Sequence, residues 1–589
     1  MTNNGIAVKY GDVAPEAKEN FEPTASESQF DTLAQLKRYN LNFPNYANPC
    51  ELYSVVLDGT ATALPSIPDD YNLGLWSTQV SGFDGVFSNP IELELASEGL
   101  YSSIGLTFTF DTHNDIYPTQ MNIRWYRDGE MLDNKDFTPT SAFYFCNNSV
   151  KNYNKIIITF YAINMPKNRL KLCVVDYGYG TYFYRTELRN VNIIQELDPI
   201  SSQISINTAD LTLDSKSDIE YSFQAKQPLS IYYNGELKST TFVKTARRTA
   251  RSIWEITSED YIGVMDSIQF YGGLYTNKNA IELLTEIFEK AKVPFEIDER
   301  FNCNVSGYIP YTTCREALMQ VAFAIQAVVD TSDSDVVKVY ALTDDVKQTI
   351  PLNRIKQGQN FVDDTTVTGV EIWMHSYRKT RTVTTAYDAS ESGVGEKIFV
   401  TFTEPLHSLK IGYLDGDDYG DFVEDDSAGD ILESGVNYAI INAKQSNCVL
   451  QGNTYEHITQ TRRMNSDIIG ANAIENIITI ENATMITADN VQNVLEKSFA
   501  WLSKVNTVNL DIIEGKHVEA NGKIKYGQRK YGTFKYGETV PSSVVYDKPV
   551  RIGEVINAET EYLGVVGGRM ISQSYNLNGN GIVKKAVLK

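Results

Sequence analysis

Histidine and cysteine are scarce in this chain of 589 residues, which holds five of the first and six of the second. The histidines, His113, His375, His407, His457 and His517, fall in separate segments and give a histidine-based active site no constellation to start from. The cysteines Cys50, Cys146, Cys173, Cys303, Cys314 and Cys448 include no C-x-x-C pair, which excludes a zinc ribbon or a dithiol motif. Free, buried thiols in a reducing compartment are expected. No apolar run is long enough to span a bilayer, and Met1–Tyr10 lacks a basic-plus-apolar leader, so neither a membrane anchor nor a signal peptide is read and folding in the cytoplasm is expected. Gly-x-Ser-x-Gly, His-Glu-x-x-His and phosphate-binding glycine loops are missing, so the expected role is not enzymatic. Basic residues are outnumbered, 52 Lys and Arg against 75 Asp and Glu. A net charge of −23 argues against a free-standing nucleic-acid binder, which needs clustered cations.

What the chain does have is aromatic and β-forming sequence, with 36 Tyr and 25 Phe, a composition suited to half-buried sheet surfaces. Its length predicts three or four domains at roughly 100–200 residues each. The expected fold class is mainly β with α+β parts. Residues 1–50 read as an extended arm, with Pro15, Pro23 and Pro44, a short helix candidate carried by Phe30, Leu33 and Leu36, and order gained only against partners. Residues 51–87 are a strand-rich lead-in. Over 88–190 short alternating runs recur: Ile91, Leu93 and Leu95 against Glu92 and Glu94, and Met121, Ile123 and Trp125 against Asn122 and Arg124. They predict an inserted β-sandwich, a jelly roll resembling galactose-binding modules. Residues 191–267 hold a hairpin whose turn is Asn234-Gly235.

Residues 268–342 carry the clearest helices. Ala280, Leu283, Leu284, Ile287, Phe288 and Ala291 share one helical face, and a second helix starts at the capping-box spacing Thr313 to Glu316, with Leu318, Val321, Ala322 and Ile325 as its stripe. With the flanking strand candidates this is a split βαβ pattern, one small sheet with both helices on one side. Residues 343–480 are strand-rich and include an acidic loop, 412–430. Residues 481–589 begin with a helix expected to be capped by Thr487, continue through turns at Asn521-Gly522 and 578–581, and end in the strand 582–588. The Lys-Tyr-Gly repeats at 525–527, 530–532 and 535–537 read as a kinked hairpin arm.

Three sets of side chains are candidate sites. Asp415, Asp417, Asp418, Asp421, Asp425 and Asp426 offer hard oxygen ligands that calcium prefers, although Tyr419 breaks the helix-loop-helix spacing and a solvated charge run is the simpler account. Asp111, Asn114 and Asp115 form a second calcium candidate. Tyr126, Tyr144, Tyr182 and Tyr184 are outward aromatic candidates for stacking on cell-wall sugars, with interface packing as the plainer role, whereas Trp125 alternates with the core set.

Short stretches along nearly the whole chain resemble a tail-protein family encoded by phages and prophages of Gram-positive hosts, similar to baseplate hub and tail-associated proteins. They are Lys9-Tyr10-Gly11-Asp12-Val13-Ala14-Pro15, Val56-Leu57-Asp58-Gly59, Glu196-Leu197-Asp198-Pro199-Ile200-Ser201, Asp260-Tyr261-Ile262-Gly263, Gly307-Tyr308-Ile309-Pro310, Arg315-Glu316-Ala317-Leu318 and Glu561-Tyr562-Leu563-Gly564. The resemblance implies a homotrimeric tail-tip ring in the virion, with tube-like β-barrels at 191–267 and 343–480. It also implies tail-tube, distal tail and tip or spike proteins as partners, and genomic DNA passing an acidic lumen without specific binding. The alternatives are a cell-wall adhesin acting through 88–190 and, less favoured by the motifs, a cell-wall-degrading enzyme.

Overall fold

A computed structural model describes residues 6–24, 30–33, 36, 46–47, 62–63, 74–112, 114–215, 223–233, 235–355, 359–363, 365–415, 421–466, 474–504, 506–514, 519–520, 523–524, 549–562, 564–577 and 582–589. The chain divides into two compact units, one of residues 1–190 and 211–258, the other of 191–210 and 259–589.

The first unit holds an eight-stranded sheet. Its order is Phe30–Leu33, Leu75–Val80, Arg169–Asp176, Val86–Phe110, Phe143–Ile163, Pro118–Arg127 and Glu130–Phe137, with Glu22–Thr24 added beside Val86–Phe110. The alternation read from the sequence sets its core. Ile91, Leu93, Leu95, Met121, Ile123 and Trp125 are buried, and Ile158 lies opposite both Leu93 and Ile123. A two-sheet jelly roll was the expectation; the described strands instead form one sheet. Its two longest strands have 25 and 21 residues, and their pairing shifts register at Asn147, Val150 and Tyr153. Bulges of this kind bend strands, which lets a single sheet curl around its own core.

The N-terminal segment is not a free arm. Ile6–Val13 is a buried strand between Gly178–Tyr184 and Pro228–Tyr233, with Tyr10 opposite both Thr181 and Leu229. Gly178 permits the close approach: its φ is +144°, and a Cβ there would lie 2.2 Å from the Asp12 carbonyl oxygen. Helix α1 (Pro15–Asn20) follows, with Pro15 at its first position, and buries Ala17 beside Phe21 in the core of the large sheet. Phe30–Leu33, read as helical, is a strand. Pairing of Tyr233 with Glu236 gives the register that a two-residue hairpin connection produces, although Asn234 lies outside the described residues.

In the second unit the two expected helices are present. Helix α2 (Tyr261–Asp266) precedes them; α3 (Ala280–Ala291) and α4 (Cys314–Ile325) pack against each other. Every apolar position named for α3 is buried, as are Leu318, Val321 and Ala322 of α4. The Thr313 hydroxyl accepts from the Glu316 N–H at 3.2 Å, while the Glu316 carboxylate accepts from Thr312 rather than closing a reciprocal box. The surrounding strands do not make the single sheet expected of a split βαβ unit. They separate into Phe295–Ile297, Val337–Tyr340 and Val328–Asp330 in one sheet, Gly273–Asn279 with Asn304–Ile309 in another, and Gln269–Phe270 with Thr312–Thr313 in a third.

Three further groups of strands complete this unit. Residues 192–196 pair with Gly564–Asn576, which continues to Ile582–Leu588, Asn506–Glu514 and Asn360–Asp363. A five-stranded sheet runs Asp421–Glu424, Leu406–Asp415, Cys448–Asn465, Gly369–Asp388 and Ile477–Ile480, and a three-stranded one Gly395–Thr401, Tyr438–Ala443 and Gly429–Ser434, reached through the short α5 (Ala389–Ser392). Among the described residues no sheet closes into a barrel, contrary to expectation for 191–267 and 343–480. Closure needs the two edge strands to bond to each other. In the five-stranded sheet Asp421–Glu424 and Ile477–Ile480 remain at opposite edges. Helix α6 (Val491–Leu502) begins after Asn490 and follows a turn in which the Asn490 carboxamide accepts from the Thr487 N–H at 2.9 Å, the Thr487 carbonyl accepts from the Val491 N–H at 3.1 Å and the Thr487 hydroxyl accepts only weakly from the Asp489 N–H at 3.4 Å.

Candidate functional site

The four tyrosines do not converge. Tyr126 faces Lys155 across adjacent strands, with the ammonium 5.6 Å from its ring centre and paired at 3.1 Å with Glu94. Tyr144 lies on the strand that carries Lys155, eleven residues earlier, which is on the order of 30 Å along an extended strand. It is half-buried against the core, and burial raises the pKa of its hydroxyl. Tyr182 and Tyr184 sit on Gly178–Tyr184, in the sheet that holds the N-terminal strand. Tyr182 is buried edge-on against Phe143 at 5.0 Å, and Tyr184, 40% exposed, lies near-parallel to it at 6.2 Å and 17°. These two alone form an aromatic pair.

The calcium candidates are committed to protein partners or lie apart. Asp111 is fully buried. Its carboxylate accepts from the Asn114 backbone at 3.1 Å, from the Asn114 side chain at 3.0 Å and from the Lys171 ammonium at 3.4 Å. Lys171 thus supplies the positive charge that a cation would bring. The Asp115 carboxylate accepts only weakly from the Ala142 N–H, at 3.4 Å. Asp415 stands opposite Asp421 at the end of a strand pair, and Asp417 and Asp418 lie outside the described residues, as do the Lys-Tyr-Gly repeats. Among the described residues no group of three or more His, Cys, Asp and Glu is placed to hold a metal ion.

Sequence reading missed a constellation on the two longest strands of the second unit, Gly369–Asp388 and Cys448–Asn465. His375 is 5% exposed and donates from Nε2 to the Glu481 carbonyl at 2.8 Å. Its Nδ1 therefore accepts, at 2.9 Å, from His457 Nε2. Burial lowers the pKa of His375, and the neighbouring His457 adds to the effect. His457 stacks on Tyr377 at 4.6 Å, and Tyr377 touches Tyr308 at 4.8 Å. Tyr308 donates to Asn437, whose amide in turn bonds the Tyr271 and Ile309 carbonyls. The chain of contacts fixes the base of the strand pair to the helical part of the unit. No local signal announces it, because His375 and His457 are separated by 82 residues.

Beyond that base the two strands continue as a ribbon. Ser376, Arg378, Lys379 and 381–385 are exposed on one strand, and 456–463 on the other. Of the ribbon's two strands, Ile477–Ile480 reaches only 369–372 of the first, and Leu406–Asp415 reaches only 448–454 of the second. Among the described residues no strand covers the outer edge of 455–465.

No family model matches the sequence, and no curated protein does. Solved structures to which the chain is similar are described as tail proteins. The tail protein from Neisseria meningitidis MC58 is 9% identical over 69% of this chain and 93% of that one, with a TM-score of 0.41. The 43 kDa tail protein of prophage MuSo2 from Shewanella oneidensis is 9% identical over 69% and 95%, with a TM-score of 0.39. Prophage tail protein gp18 from Listeria monocytogenes EGD-e is 10% identical over 69% and 91%, with a TM-score of 0.35.

Proposed function

We propose that the chain is a structural hub of a phage tail tip, which oligomerises into a ring, joins the tail tube to the distal tip and lines the channel through which the genome leaves. The observation that carries the reading is that, among the described residues, its sheets are open. Among the described residues, strands read as barrels stop short of closure, and an open sheet edge is completed by strands from a neighbour or remains a liability in solution. A ring of copies would supply those neighbours. The motif matches spread from Lys9 to Gly564 point the same way, and a surface of net charge −23 suits a channel that DNA must traverse without sticking. On this reading the protein has no catalytic task, its partners are tail-tube, distal tail and tip or spike proteins, and it resides in the virion.

The test is to purify tails and label the chain with antibody, and to mix the pure protein with tail-tube protein. Label at the tail tip and rings in the mixture are expected. Tails lacking the chain, or a mixture in which both proteins remain separate, refutes the role.

A further inference from the structure

The ribbon made by residues 376–385 and 452–463 is a poor fit to a solitary chain. An isolated two-stranded ribbon is marginal in water, and among the described residues this one has many exposed positions and no strand on its outer edge from Tyr455 to Asn465. Its charge is also unlike the rest. The two parent strands carry five cations, Arg378, Lys379, Arg381, Arg462 and Arg463, against Glu371, Asp388 and Glu456, in a chain where acids outnumber bases 75 to 52. Arg463 pairs with Glu475; among the described residues no carboxylate lies within ion-pair distance of Arg378, Lys379, Arg381 or Arg462. Ile458, 38% exposed, and Val383, 54% exposed, add apolar surface to the same ribbon.

We infer that this ribbon docks onto an acidic surface of a second copy of the chain, and that the free edge at 455–465 is where a strand of that copy is added. Charge selects the occupant. A neighbouring copy presents a predominantly acidic surface, so desolvated contacts to the four unpaired cations are attractive, whereas ribbon against ribbon would bring like charges together. Contact through two different surfaces is heterologous, and heterologous contacts generate rings when the rotation closes. The inference rests on the ring reading and names the surface that builds it. Backbone N–H and C=O groups along the edge supply the affinity, and the cations set register and orientation.

Sedimentation velocity on the full chain, from sub-micromolar to the highest soluble concentration at low and high salt, tests it together with hydrogen exchange of 455–465. Assembly that strengthens with concentration, weakens with salt and protects those amides is expected. The exposed triple variant Arg378→Glu, Lys379→Glu, Arg381→Glu should raise the assembly midpoint by about tenfold or more, the effect of roughly 1.4 kcal/mol. Ile458→Asp, on the opposite strand, should act in the same direction, with the circular dichroism of both variants unchanged. Three results overturn the inference: a chain monomeric throughout, assembly with 455–465 exchanging freely, or protection of 455–465 only on adding duplex DNA. In the second case the ring reading stands and only its interface is lost; chain missing from purified tails removes the ring reading itself.

Discussion

Asp176 offers the sharpest test of how the first unit holds its N-terminal segment. It ends the strand Arg169–Asp176 with a side chain only 2% exposed. Lys9 of the N-terminal strand approaches one carboxylate oxygen at 3.0 Å, and Lys18 of α1 approaches the other at 2.5 Å. Burial alone would raise its pKa, but the charges and hydrogen bonds of Lys18 and Lys9 outweigh burial and hold it well below the usual carboxylate range. Asp176→Asn keeps the shape and removes the charge, leaving the two ammonium groups without the carboxylate they share. Removing one partner of a buried pair costs about 3–5 kcal/mol. The lysines are 17% and 16% exposed and can turn toward water, so the low end applies. About 3 kcal/mol is on the order of a hundredfold in an opening equilibrium. Hydrogen exchange of the amides of 7–14 reads that equilibrium directly, without requiring the whole chain to unfold in one step. The pH dependence has a fixed sign. A depressed carboxylate stabilises the fold fully above its unfolded pKa of about 3.9, and the contribution is lost as pH falls through the folded value. Protection of 7–14 in the natural chain should therefore decline below about pH 4, with a shallower decline in the variant. Equal protection at neutral pH, or parallel decline in acid, refutes the argument.

Asp260 should show the opposite pH sign. Buried at the start of α2, it accepts from the Ile262 and Gly263 amides and from Thr331, yet burial outweighs these bonds and pushes its carboxyl up to about 6. The second unit therefore gains stability from this group as pH falls from about 6 toward about 4, and Asp260→Asn should flatten that part of a melting-temperature profile; an unchanged profile counts against the assignment. Leu318→Ala, at a fully buried position between α4 and its neighbours, should destabilise the unit by about 2–5 kcal/mol in denaturant titration. Thr313→Ala, which removes the cap on α4 and a long 3.5 Å bond to Asp266, should cost about 1 kcal/mol, and a larger loss than for Leu318→Ala would mean that packing is not what holds the helix.

The helices were legible because their determinants are local. Ala280 to Ala291 repeat at three and four residues, and Thr313 stands three before Glu316, so face and cap are written within a dozen positions. Alternation likewise placed Trp125 and its partners in a core. What the pattern could not carry was which strand lies beside which. Ile6–Val13 reads as polar arm, yet it is flanked by strands more than 160 residues away. The paired glutamines Gln195 and Gln573 are 378 apart in sequence. Sheet closure depends on such distant matches, so among the described residues the expected barrels and the single split βαβ sheet are not found, whereas the helices are. Thr487 is a local difference: the regular helix starts at Val491, and the Thr487 and Asn490 side chains each accept a different backbone N–H within the turn before it.

The perturbed acids and bases of this chain point inward to protein partners. Asp176 is taken by two lysines, Asp260 by a helix start and Thr331, Asp330 by the Ser332 amide, and His375 by a carbonyl and a second histidine. An acid or base that acts on substrate must keep one side turned to a place where substrate can sit. These groups spend their bonding capacity on positioning strands and helix ends, which is what shifts their pKa values. The capacity left over on the ribbon is in the main chain, along 455–465, with four cations beside it. A row of free amides and carbonyls recognises another strand better than it recognises a small molecule. On the proposed assembly, satisfied interiors hold the uncovered edge in place, and a strand of a second copy is what would complete the sheet.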